Sequence, residues 1–237
     1  MEAKDRLIVA LDVDSTPEAE KLIEVLSPEA DIFKVGIAPF TGYGEKILGK
    51  LREKGKKVFL DLKFHDIPNT VRNAARIAAK HGVFMMNFHC LGGKSMLEAA
   101  RKGAEEGSAS SGHEKPLLLG VTILTSMTEA DLQALGMAGG IEEKVMELAA
   151  LAKNCGLNGV VASAKETRLI KSSLGKGFLV VTPGVRPTWA AAGDQKRVLT
   201  PKQAVAEGAD YIVVGRPIIH ADDPAEAARK IVEEIGS

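Results

Sequence analysis

The sequence is short of cysteine, of net charge and of long apolar runs, and each shortage removes a class of protein. Cysteine occurs only at Cys90 and Cys155, far apart and without the paired spacing of a metal site. The two read as reduced thiols in or near a core, not as a disulfide framework. Lys plus Arg number 31 and Asp plus Glu number 31, so the formal net charge is zero. No basic excess marks nucleic acid or an anionic membrane as a partner, although a local basic cluster remains able to hold a small anion. The N-terminal stretch MEAKDRLIVALDVD has charges on both sides of a short apolar run. That run is too short for a membrane span and lacks a signal-peptide cleavage pattern, so a cytoplasmic location is expected. His65, His81, His89, His113 and His220 show no HxH or HxxxH spacing, and no metal site is expected. His89, at the end of an apolar run, reads as a hydrogen-bonded structural histidine before a ligand.

What is present is a recurring unit. Short apolar runs rich in β-branched residues occur at 7–13, 32–36, 58–63, 84–89, 117–124, 159–163, 178–182 and 211–215. Most are continuously apolar, the signature of parallel strands covered on both faces. Between them lie segments of helical period, such as 17–26, 71–80, 94–106, 142–154 and 201–207. Ser15 and Glu18 have the spacing of a capping box, Pro68 suits a first helical turn, and Gly82 suits a helix stop after His81. Eight strand–helix alternations in 237 residues predict an α/β fold, a (β/α)8 TIM barrel, as one domain over 1–237. A doubly wound open sheet fits eight such units less well. Two segments read as surface loops: 107–115 (GSASSGHEK), a plain connection, and 185–197 (VRPTWAAAGDQKR), which suits a mobile binding loop after the seventh strand. Trp189 in that loop either covers a ligand or packs on the rim.

Barrel enzymes carry their working groups at the C-terminal ends of the strands. In this chain those ends hold Asp12, Lys34, the Asp61–Lys63–Asp66 cluster, His89, Thr125–Ser126, the segment 183–186 and Gly215–Arg216. Asp61 and Lys63 are two apart, so a regular strand points both side chains to one face, where each favours the other's charged form. Lys34 directly after an apolar run would be costly to bury without a partner. Alternating charges gathered in one mouth suit a preorganised electrostatic site better than an isolated ion pair. The seventh and eighth strand ends read TPGVRP and VVGRP. Barrels often bind phosphate there, with Gly184 and Gly215 permitting close approach and Arg186 or Arg216 adding charge.

Together the segments LIVALDVDS, FKVG, FLDLKFHDIPNTV, NFHCLGG, VTILTSM, VTPGVRP, GDQKRV and YIVVGRPI resemble the orotidine 5′-phosphate decarboxylase family, in its order and spacing and over nearly the whole chain. DxKxxD alone is shared with related phosphosugar enzymes; the DIPNTV extension, LTSM and the GVRP–GDQ–GRP set are more selective. Cys90 stands where a small residue such as alanine is usual. The resemblance implies decarboxylation of orotidine 5′-phosphate to UMP in pyrimidine biosynthesis, with no cofactor. It implies Lys63 as proton donor to C6 of the pyrimidine, with Lys34 and Asp61 holding Lys63 and contacting the ribose and reacting centre. Asp12 looks like a ribose ligand. Asp66, Ile67 and Thr70 resemble residues that reach a neighbouring subunit's site, which implies a homodimer with shared sites. Thr125 and Ser126 match pyrimidine-side contacts, and Pro183 matches a residue that lies beside the base in this family. Gln195 resembles the residue linking base and phosphate, while Arg186, Gly215 and Arg216 match the phosphate grip. The alternatives are a Mg²⁺-dependent sugar-phosphate lyase of the same superfamily and a non-catalytic nucleotide-binding barrel. The first normally has an acidic metal ligand after the second strand, where this chain has Lys34.

Overall fold

Eight parallel strands close into a barrel in sequence order, each hydrogen-bonded to the next and β8 returning to β1. They are β1 (Leu7–Ala10), β2 (Ile32–Gly36), β3 (Lys57–Phe64), β4 (Met85–His89), β5 (Leu117–Val121), β6 (Gly159–Val161), β7 (Leu179–Pro183) and β8 (Tyr211–Val214). The computed structural model describes residues 1–190 and 199–236. Every apolar run read from the sequence contributes its strand. The helices are α1 (Ala3–Arg6), α2 (Thr16–Leu26), α3 (Ile37–Tyr43), α4 (Lys46–Glu53), α5 (Pro68–Lys80) and α6 (Gly93–Ser111), followed by α7 (Glu129–Ala134), α8 (Ile141–Asn154), α9 (Ala164–Leu174), α10 (Pro201–Ala206), α11 (Arg216–Ile219) and α12 (Pro224–Gly236). Among the described residues, no helix is long and apolar enough to cross a membrane.

Two buried layers follow from the two-residue period of the strands. Ile8 and Ala10, Ile32, Phe59, Met85, Leu119, Val181, Tyr211 and Val213 fill the barrel interior. Their sequence neighbours Leu7, Val9, Phe33, Val35, Leu60, Met86 and Phe88 point outward and join Leu22, Leu26, Leu51, Leu97 and Ile231 of the helices. Because both faces are covered, the strands read as unbroken apolar runs. Cys90 and Cys155 are free and buried in the outer layer. Burial pushes the Cys90 thiol up to about 12, with Cys155 a lesser cause, which keeps it inert as a nucleophile.

Local capping agrees with the sequence in part. Ser15 Oγ accepts from the Glu18 N–H at 3.3 Å, which is half of the expected box. Complete boxes open α7, with Thr128 and Asp131, and α10, with Thr200 and Gln203. Pro68 does stand in the first turn of α5, and Gly82, at φ 69°, follows its C-terminal His81.

The segment 107–115 is not a plain loop, because α6 continues through Ser111 before Gly112 stops it at φ 73°. Packing decides this against the small polar composition. Gly103 and Gly107 lie one turn apart on the face of α6 that meets α5, and a Cβ at these positions would stand 2.1 Å from the Arg72 carbonyl oxygen and 2.3 Å from that of Arg76. Two helix backbones touch there, and only glycine allows it. A two-point ion pair between the Arg72 guanidinium and the Glu106 carboxylate ties the same helices together. Gly103→Ala is therefore expected to destabilise the protein by about 2–3 kcal/mol through overpacking. Helix propensity alone predicts a gain of about 1 kcal/mol for the same change. Thermal or urea denaturation decides between the two signs, and a stabilised variant would show that α5 and α6 do not meet this closely.

Candidate active site

The period that fills the barrel also builds its mouth. Two residues beyond the inward-facing Ala10, Ile32, Phe59 and Met85 stand Asp12, Lys34, Asp61 and Asn87. The inner face thus changes from apolar to polar within one step along four adjacent strands. Lys34 and Asp61 are each 8% exposed and Asn87 is fully buried, so these groups satisfy one another. Lys34 Nζ lies 3.0 Å from Asp12 Oδ1 and 3.5 Å from Asp61 Oδ2. Lys63 Nζ donates to Asp61 Oδ1 at 2.7 Å. The result is a continuous chain of alternating charge, Asp12–Lys34–Asp61–Lys63, running from the half-exposed Asp12 into the barrel and back out to Lys63. Gly36 makes room for it, since a Cβ at Gly36 would stand 2.8 Å from Lys34 Nζ and 3.2 Å from Asp12 Oδ1.

Lys63 reaches Asp61 by a route that simple strand alternation does not contain. The β3–β4 register advances from Leu60 opposite Met86 to Phe64 opposite Phe88. Four steps on β3 match two on β4, so β3 carries a bulge at Asp61, Leu62 and Lys63. Lys63 has φ 51°, the one non-glycine residue with positive φ among the described residues. An L-residue held there costs about 1–2 kcal/mol, which the surrounding contacts must offset. Asn87 spans the bulge: its Oδ1 accepts from the Lys63 N–H at 2.8 Å, and its Nδ2 donates to Asp61 Oδ1 at 2.6 Å. Asn87 was not among the residues singled out from the sequence. Its signal was an amide at an inward position of an otherwise apolar run, MMNFH, where burial demands partners.

Asp66, expected within the charge cluster, stands outside this chain of ion pairs. It is exposed, and its carboxylate accepts from the Ile67 N–H at 2.6 Å, ahead of α5. Ile67 is 67% exposed, and Thr70 on the first turn of α5 is also exposed. His89 and His65 face each other with ring centres 5.5 Å apart. Burial, then the neighbouring His65 and Lys63 charges, hold His89 below the usual histidine range, so it is neutral near pH 7. Among the described residues, no group of three or more His, Cys, Asp or Glu side chains is placed to hold a metal ion.

The other half of the mouth is a hollow. A cavity of about 750 Å³ lies beyond the ends of β5, β6 and β7, lined among others by Thr125, Ser126, Pro183, Gly184 and Arg216. Glu166, in the first turn of α9, also lines it, and burial raises its carboxyl above the usual range. Arg186 and Arg216 line a second, smaller cavity of about 370 Å³ with Trp189, Pro217 and His220. Trp189 is 46% exposed at its edge. Gly215 immediately precedes α11, so the β7 and β8 loops and the start of a short extra helix meet where barrels commonly hold phosphate. Of the residues named from the sequence, Asp12, Lys34, Asp61 and Lys63 converge on one side, while Thr125, Ser126, Pro183 and Arg216 share the larger cavity. Arg186 meets Arg216 in the smaller one. Gln195 lies outside the described residues, as do 191–194 and 196–197 of the expected binding loop.

The model of the family described as "Orotidine 5'-phosphate decarboxylase / HUMPS family" matches residues 5–231. A protein of Moorella thermoacetica named orotidine 5′-phosphate decarboxylase is 49% identical over 99% of this chain and 94% of its own length. One of the same name from Syntrophotalea carbinolica is 48% identical over 100% of this chain and 97% of its own. Among solved structures, orotidine 5′-phosphate decarboxylase from Lactobacillus acidophilus superposes with a TM-score of 0.88 at 39% identity, covering 98% of this chain and all (100%) of that one. The one from Pyrococcus horikoshii superposes at 0.77 with 27% identity, covering 98% of this chain and 99% of that one.

Proposed function

The chain belongs to the orotidine 5′-phosphate decarboxylase / HUMPS family and decarboxylates orotidine 5′-phosphate to UMP, and we propose that it does so without a cofactor, with Lys63 as the proton donor. The observation that carries this reading is the unbroken Asp12–Lys34–Asp61–Lys63 chain at the barrel mouth. Loss of CO₂ from C6 of the pyrimidine leaves a carbanion with no adjacent electron sink. An ammonium held at that carbon both opposes the developing charge and supplies the proton that quenches it. Asp61, at 2.7 Å from Nζ, aims Lys63. Lys34, itself anchored between Asp12 and Asp61, keeps the carboxylate in place.

Magnitudes assign the remaining work. A positioned general acid contributes about 10²–10⁴-fold, or roughly 3–5 kcal/mol, whereas slow reactions require barriers lowered by up to about 23 kcal/mol. Most of the effect must come from electrostatic preorganisation and orientation. We assign the base to the Thr125, Ser126 and Pro183 side, the ribose to Asp12 with Lys34 and Asp61, and the phosphate to Arg186, Gly215 and Arg216 with Gln195. Binding energy from the phosphate, remote from C6, then serves to align the charged groups. Asp66, Ile67 and Thr70, exposed on this chain, are assigned to the site of a second copy, so the active form is a cytoplasmic homodimer. Sedimentation of the purified protein measures that state directly.

The test is the fall in substrate absorbance with purified protein in EDTA. Rapid conversion to UMP is expected. Activity only on a sugar phosphate, and only with Mg²⁺ restored, would transfer the chain to the phosphosugar lyases of its superfamily. Binding of UMP with no turnover of either substrate would leave a nucleotide-binding barrel.

A further inference from the structure

We infer that Asn87 is a positioning residue for the reaction, locking the Lys63 bulge to the Asp61 carboxylate so that the ammonium is presented at a fixed point. The inference rests on the proposed role of Lys63 and extends it to a fully buried residue that lines neither cavity. In the bulge, three residues of β3 oppose one of β4, and the regular ladder cannot serve the Lys63 N–H. The side-chain oxygen of Asn87 accepts that N–H at 2.8 Å, in place of a backbone carbonyl. The other end of the same amide donates at 2.6 Å to Asp61 Oδ1, the oxygen that also holds Lys63 Nζ at 2.7 Å.

Asn87 therefore closes a small ring: Lys63 backbone to Asn87, Asn87 to Asp61, Asp61 to the Lys63 ammonium. Both ends of the lysine are tied through one planar group. Within that ring Lys63 stays at φ 51°, a conformation it does not prefer. Without the amide, β3 is free to relax toward the ordinary extended region and carry the ammonium away. Few side chains suit the position. An apolar residue would leave the buried N–H unpaired, and an aspartate would accept the N–H but set a second carboxylate against Asp61. Asn87 is fully buried beneath Lys63, so substitution leaves the cavities and their lining residues in place.

The separation of turnover from binding distinguishes positioning from mere support of the fold. In Asn87→Ala, a displacement of Lys63 by about 1 Å is expected to lower kcat by about 10²-fold. UMP affinity, measured by calorimetry, is expected to stay within about threefold. Asn87→Ser, whose hydroxyl both accepts and donates, recovers part of the lost kcat. Asn87→Asp, which cannot donate when ionised, does not. A kcat for Asn87→Ala within about tenfold of the parent, a parallel loss of kcat and UMP affinity, or a serine variant no better than alanine would each overturn the inference. Should the alanine variant not fold, the serine and aspartate variants decide alone: equal kcat at equal UMP affinity refutes it, and a serine advantage supports it. Lys63→Ala assayed in parallel separates the layers. If that variant keeps turnover, the role of Lys63 itself fails; if it is inactive while the Asn87 variants are not, only the positioning claim falls.

Discussion

In a Lys63→Ala variant, turnover of orotidine 5′-phosphate is expected to fall by about 10⁴-fold or more while UMP still binds, because the proposed proton donor and its charge are both gone. The fold should survive the change. Asp61 keeps Lys34 at 3.5 Å and the Asn87 amide at 2.6 Å, so its buried carboxylate is not left without partners. The groups assigned to base and phosphate lie on the other half of the mouth, at or beyond the ends of β5, β7 and β8, and are untouched. A companion variant probes the backbone. Glycine at position 63 relieves about 1–2 kcal/mol of left-handed strain and gives back about 0.4–1 kcal/mol in unfolded-chain entropy. Lys63→Gly should therefore be as inactive as Lys63→Ala yet more stable by about 0.5–1 kcal/mol. Steady-state kinetics, UMP calorimetry and urea melts on the pair supply the three numbers. Turnover of Lys63→Ala within about tenfold of the parent would remove Lys63 from the chemistry.

How much of this was legible in the sequence follows from which interactions are local. Strands covered on both faces leave continuous apolar runs, and a closed parallel barrel covers every strand, so all eight runs were visible. The charged mouth was visible for the same reason, since Lys34 and Asp61 stand two positions beyond the apolar, inward-facing Ile32 and Phe59. The end of α6 was not. Residues 107–111 have loop composition, and they are helical because Gly103 and Gly107 meet the carbonyls of Arg72 and Arg76, a contact across two helices that no local rule contains. The β3 bulge was hidden likewise. Asp61 and Lys63 do meet, as expected, but through a left-handed bulge and the amide of Asn87 that regular alternation does not contain. Asp66 is the converse case. Nearness in the motif suggested membership in the cluster, yet the chain turns into α5 at Ile67 and carries Asp66 outward, while Asp12, far away in sequence, arrives from β1.

Asp61→Ala tests whether that cluster is a preorganised unit or a set of solvated charges. One carboxylate serves three buried or half-buried donors: Lys63 Nζ, Lys34 Nζ and Asn87 Nδ2. The side chains of Asp61 and Lys34 are only 11% and 10% exposed, so water cannot readily replace the lost oxygens. Breaking a buried ion pair by removing one member costs about 3–5 kcal/mol, because the survivor keeps its desolvation penalty. Here the lower end applies, since Lys34 retains Asp12 at 3.0 Å, on a carboxylate that is itself half exposed. A loss of about 3 kcal/mol in a chain of this size corresponds to a Tm lower by about 6–12 °C. Asp61→Asn preserves an oxygen for the donors but not the charge, and should fall between the variant and the parent. Activity should drop in both, by about 10²-fold or more in Asp61→Ala, as Lys63 loses the group that aims it. The decisive comparison is with salt. If the ion pairs were exposed, 1 M salt would already screen them in the parent and the Tm difference would shrink toward zero. A difference that persists in salt identifies a cluster whose charges are held by the barrel, and the same rigidity is what the developing carbanion at C6 requires of it.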